Sequence, residues 1–79
     1  PEAVAPGERV DVALEHARLL MAHKGEYIGL REMRKHMAWY LKGLRGSAQV
    51  RVKFNTAESY TQMEDILRTY LEKLESGAI

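Results

Sequence analysis

GLREMRKHMAWYLKGLRG, residues 29–46, returns to an apolar side chain at Leu30, Met33, Met37, Tyr40, Leu41 and Leu44. That spacing is the roughly 3.6-residue period of a helix burying one side. Gly43 and Gly46 close it, so the run predicts a helix over 29–42. Turning the stretch by about 100° per residue separates three faces. Opposite the apolar stripe fall Arg31, Arg34, Lys35, Lys42 and Arg45, a continuous cationic strip, and the third face holds Glu32, His36, Trp39 and Gly43.

Working toward the N-terminus, Val10, Ala13, Leu14, Ala17, Leu20 and Met21 recur at helical spacing. Acidic Glu8 and Asp11 suit a first turn, and Gly25 supplies a stop. The first helix is therefore expected to begin near Glu8. Val12, His16, Leu19 and His23 sit away from its main stripe. Pro1–Pro6 has no periodicity and suits a linker remnant, which sets the expected organisation: linker over 1–7, an ordered domain over 8–76 and a tail over 77–79.

Toward the C-terminus, Val50, Val52 and Phe54 alternate with Arg51 and Lys53 as in a strand, yet Val50 and Phe54 also satisfy i, i+4 spacing. A lone strand would leave its backbone groups without a ladder partner, so a short helix is expected. Ser59 and Gln62 form a capping-box pattern. Beyond it, Tyr60, Met63, Ile66, Leu67, Tyr70, Leu71 and Leu74 mark a broad apolar face, with Gly77 after it. Four amphipathic helices on short glycine-containing turns predict an all-α fold, a compact four-helix bundle-like domain with Tyr40 and Leu67 inside.

With 79 residues there is room for one small domain and none for a catalytic barrel. The chain has no cysteine, which excludes a disulfide framework, a thiolate metal site and a cysteine nucleophile. No apolar run approaches the roughly 20 residues of a membrane span, and the start lacks a signal-peptide pattern. A cytoplasmic, soluble monomer with no membrane partner is expected. Pro1 in place of a methionine suggests a processed or excised piece of something larger.

The formal net charge of +1 conceals segregation: residues 1–30 carry −2, residues 31–53 carry +6, and residues 54–79 carry −3. The basic centre is Arg31, Arg34, Lys35, Lys42, Arg45, Arg51 and Lys53 against Glu32 alone. Such asymmetry fits an anionic partner, with nucleic acid the commonest, although solubilising charge has the same composition. A cationic helix side releases counterions from a phosphate backbone and gives affinity without sequence readout. Trp39, off the core stripe, needs a cover, from this domain, a neighbouring one or an RNA base, and Val12 and Leu19 also suit contact with another domain. His16 and His23 are seven positions apart with no carboxylate or cysteine cluster to join them, so no metal site is expected. No glycine-rich phosphate loop follows a strand and no Ser, His and Asp set has a plausible geometry, so no catalytic residue is assigned.

Met33-Arg34-Lys35-His36, Trp39-Tyr40, Lys42-Gly43 and Gly46 resemble the R-K-H-x-x-W-Y-x-K-G-x-x-G signature of the C-terminal helical domain of bacterial tRNA-dihydrouridine synthases. The match is closest to the subfamily once described as nitrogen-regulation proteins, and it extends more weakly over about residues 8–75. In that family an N-terminal TIM barrel reduces a tRNA uridine with FMN, NADPH and a catalytic cysteine. The helical domain clamps the folded tRNA against the barrel.

The resemblance implies a fragment that is not itself an enzyme and binds no cofactor. Its partners would be tRNA and its own N-terminal catalytic barrel. Arg34, Lys35 and Lys42 would contact phosphate, supported by Arg31, Arg45, Arg51 and Lys53, with His36, Trp39 and Tyr40 open to a structural role instead. Read from the residues alone, His36 is a further candidate phosphate donor, and Trp39, Val12 and Leu19 are candidate domain-interface positions. Without an aromatic sheet platform, such a bundle suits RNA shape and backbone better than single-stranded bases. Two alternatives stand beside it: a helix-turn-helix DNA-binding regulator built from the second and third helices, and a purely protein-binding bundle.

Overall fold

One residue separates the first two helices in the computed structural model, which describes residues 5–79 as α1 (Pro6–Lys24), α2 (Glu26–Tyr40), α3 (Ser47–Phe54) and α4 (Tyr60–Ser76). That residue is Gly25, at φ 89° and ψ 159°, a conformation essentially reserved for glycine. So tight a joint folds α2 directly back along α1. At Gly29 the backbones come so close that a Cβ would stand 2.6 Å from Met21 Cγ and 3.0 Å from Met21 Cα. The expected start of the second helix at Gly29 is thus corrected to Glu26: this glycine is a close-approach residue inside the helix.

Residues 1–4 of the expected linker lie outside the described residues. Pro6 and Gly7 already belong to α1, which begins two residues before Glu8. Proline is tolerated there because its missing N–H is one that the first turn leaves unpaired anyway. The third segment is helical from Ser47 to Phe54, and no strand occurs among the described residues.

The core is shared by all four helices: Val10, Ala13, Leu14 and Ala17 from α1, Leu30, Met33 and Met37 from α2, Val50 and Phe54 from α3, and Met63, Leu67 and Tyr70 from α4. Leu41 and Ala57 add to it from the connecting turns. Leu67 is fully buried, as expected, but Tyr40 is only half-buried. Its hydroxyl stays at the rim, 2.9 Å from His16 Nδ1, where the phenol keeps a hydrogen-bond partner while its ring packs on the core. α1 packs against α2 and α4, and α3 bridges α2 and α4.

Long-range caps lock this arrangement. Arg9 on α1 donates to the Lys42 carbonyl at 2.8 Å and reaches the Tyr40 carbonyl at 3.5 Å, satisfying acceptors that the end of α2 leaves open. Glu26 at the start of α2 accepts from the Tyr60 backbone N–H at 2.8 Å, capping α4 from another element. The capping box forms, with Gln62 N–H donating to Ser59 Oγ at 3.1 Å, but its return bond reaches the Glu58 N–H at 2.8 Å. Asp11 pairs with Arg68 at 2.9 Å across α1 and α4. Within the expected tail over 77–79, Ile79 packs on the core and its backbone oxygen accepts from Arg45 at 2.8 Å. No helix among the described residues is long and apolar enough to cross a membrane.

Candidate nucleic-acid interface

Because Leu30, Met33 and Met37 turn inward, the positions between them must turn out, and Arg31, Arg34 and Lys35 are exposed together on the outer side of α2. With Ile28 and Glu32 they line a shallow depression of about 380 Å³. The carboxylate in it is already matched: Glu32 accepts from Lys24 Nζ at 2.9 Å. That hydrogen bond, helped by the charges of Lys24, Lys35 and His36, holds the Glu32 carboxyl below its ordinary value of 4.5. Cationic character therefore dominates this part of the helix.

Tyr27 belongs to the same surface, and its 72% exposure makes it one of the two most open large hydrophobic side chains among the described residues. The Arg31 guanidinium carbon lies 5.6 Å from its ring centroid, a cation–π pair. The sequence reading passed over Tyr27. Its signal was the i, i+4 spacing to Arg31 at a position that joins no apolar stripe.

The expected single strip does not run the full length of one helix. α2 ends at Tyr40, Leu41 leaves helical geometry at φ −100° and ψ 5°, and Gly43 turns the chain at φ 81°. Lys42 and Arg45 consequently sit in the turn before α3, outside the helical register that would align them with Lys35. Lys42 is exposed there, whereas the Arg45 guanidinium is engaged by the Ile79 carbonyl. The Arg45 carbonyl accepts from the Tyr70 hydroxyl at 2.5 Å, and burial pushes that phenol's pKa upward. Arg51 and Lys53 lie on α3, the first half-buried and the second exposed. Lys53 also lines a cleft of about 220 Å³ between α3 and α4, with Gln49, Asp65, Thr69 and Lys73. The structure thus gathers Arg31, Arg34 and Lys35 and distributes the other cations over a turn and a second helix.

A different surface runs along the edge where α1 meets α2. Trp39 is 79% exposed, Val12 54% and Leu19 53%. His36 leans on His16, with ring centroids 4.7 Å apart, so its imidazole faces α1. His16–His36 and Lys24–Glu32 set an antiparallel register that brings Val12 level with Trp39. No group of three or more metal-ligating side chains is spaced to hold a metal ion among the described residues.

The dihydrouridine synthase family model matches residues 1–75. Over 66 residues the chain is 36% identical to the tRNA-dihydrouridine synthase B of Vibrio cholerae, covering 84% of this chain and 20% of that protein. It is 33% identical to the tRNA-dihydrouridine synthase B of Pseudomonas aeruginosa, covering 98% of this chain and 23% of the relative. A probable tRNA-dihydrouridine synthase of Mycobacterium leprae is 34% identical over 61 residues, 77% of this chain and 16% of that protein. The chain spans about a fifth of the length of these relatives. An all-helical sequence matched over nearly its whole length belongs to the dihydrouridine synthase family.

Proposed function

We propose that this chain is the C-terminal helical domain of a cytoplasmic tRNA-dihydrouridine synthase of the type once named for nitrogen regulation, and that it docks the tRNA backbone without performing the reduction. The observation that carries this reading is the cluster of Arg31, Arg34 and Lys35 on one exposed helix face, with the local carboxylate neutralised by Lys24. Lys42 is exposed in the following turn, and Arg51 and Lys53 add charge on α3. Cationic side chains on a convex helix contact phosphates and carry little base information. α3 offers a DNA groove little to read with, since its exposed side chains are Ala48, Gln49, Val52 and Lys53.

FMN and NADPH belong, on this reading, to the remaining polypeptide of the synthase. The α3–α4 cleft, at about 220 Å³, is smaller than the roughly 300 Å³ at which cofactor pockets begin, and the α2 depression is a shallow surface feature. The edge bearing Trp39, Val12 and Leu19 is the face that meets the catalytic barrel. It combines apolar side chains with two imidazoles and lacks the density of cations a phosphate backbone requires.

Titrating tRNA binding against salt tests the docking surface. Replacing Arg34, Lys35 and Lys42 by alanine removes up to three phosphate contacts, so the slope of log affinity against log salt should become shallower by roughly two to three units. A triple variant with wild-type affinity and slope would falsify this reading and leave the charges as a solvated face.

A further inference from the structure

Two aromatic side chains on α2 stand open to solvent, and their surroundings differ. Trp39 follows three positions after His36, whose ring meets His16, and Val12 and Leu19 are exposed apolar side chains on α1, company suited to a protein surface. Tyr27 lies at the other end of the helix, in its first turn, with Arg31 over its ring. Arg34 follows seven positions after Tyr27, two helical turns along the same face. An aromatic ring among guanidinium groups is poorly suited to a protein core. It suits an unpaired nucleobase, which has a π-face for the ring and a phosphate on each side for the cations.

We propose that Tyr27 and Arg31 form a stacking platform for one unpaired nucleobase of the docked RNA, while Arg34 and Lys35 take the phosphates flanking it. The proposal rests on the RNA-docking reading and adds a base contact to what is otherwise backbone recognition. The phenol ring supplies the flat surface. Arg31, whose guanidinium carbon already lies 5.6 Å from the ring centroid, is close enough to extend the stack at a smaller loss of side-chain freedom than an arginine with no ring partner. Stacking discriminates little among bases, because each has a π-face. The platform therefore selects for an unstacked nucleotide and not for a particular letter.

The test uses the full 79-residue chain and three labelled probes: folded tRNA, a short single-stranded uridylate, and an abasic ribose-phosphate oligomer of the same length. Tyr27→Ala should weaken binding of the uridylate by about 5- to 150-fold, the range of one lost stack, while Tyr27→Phe restores it. It should weaken tRNA in the same direction and leave the abasic oligomer and the salt slope unchanged. Tyr27 is outside the core, so helical circular dichroism should be the same for all three proteins. Wild-type uridylate affinity in Tyr27→Ala, or an equal loss on the abasic oligomer, overturns the platform. A shallower salt slope in the Arg34, Lys35 and Lys42 variant together with an indifferent Tyr27→Ala keeps the docking reading and removes only the stack.

Discussion

Gly29 shows how one missing side chain sets the geometry of the hairpin. A methyl group there would enter the space of Met21, including its backbone, which no rotamer change can clear. Gly29→Ala should improve helix propensity yet lose about 1–3 kcal/mol through forced separation of α1 and α2. Thermal melts of the two proteins decide it, and a melting temperature raised by the substitution would mean that the helices part without cost. The Glu32 carboxylate makes a second prediction. Its pKa is depressed in the folded chain, chiefly by the Lys24 hydrogen bond, so its stabilising effect is present above the ordinary value of 4.5 and disappears as pH falls through the depressed value. Glu32→Gln should melt below the wild type at neutral pH, and the two curves should converge in acid. A gap that stays constant through the titration would assign the difference to something other than this ionisation.

Among the elements, α4 was the most legible, because its stop at Gly77, its Ser59 cap and its broad apolar face are all local signals. α3 was resolved from its strand-like alternation by a backbone argument, and Val52, 67% exposed, confirms that the alternation was not a buried face. The ends of α2 were misjudged for a physical reason. Its start depends on the one-residue joint at Gly25 and on the close contact of Gly29 with Met21, both consequences of tertiary packing. Its end is held by Arg9, thirty-three positions from Lys42, and no window on the helix itself contains that residue. The candidate site was legible as charge, since Arg31, Arg34 and Lys35 follow from the helical period. It was not legible as a continuous strip, because periodicity extrapolated past Tyr40 assumes a helix that Leu41 has already left. Tyr27 escaped because stripe counting asks which aromatics face inward, and an exposed ring contributes nothing to that count.

At the scale of the whole molecule, two chemically different surfaces lie on two sides of one helical hairpin. The outer side of α2 presents cations and Tyr27, while the edge against α1 presents Trp39, Val12 and Leu19. On the proposed RNA-docking reading such a division is expected, since the domain would hold its own polypeptide and its substrate at once. Trp39 is also the chain's sole tryptophan, which makes the molecule its own optical probe. In the free chain its indole should emit at the long wavelengths of a water-exposed ring. Adding the separately produced barrel of the synthase should move that emission to shorter wavelengths, whereas saturating tRNA alone should leave its wavelength in place. The reverse outcome, a blue shift with tRNA and none with the barrel, would exchange the assignments of the two faces. Because the reporter sits on one face and the cations on the other, a single unlabelled sample can tell protein docking from nucleic-acid docking by colour alone.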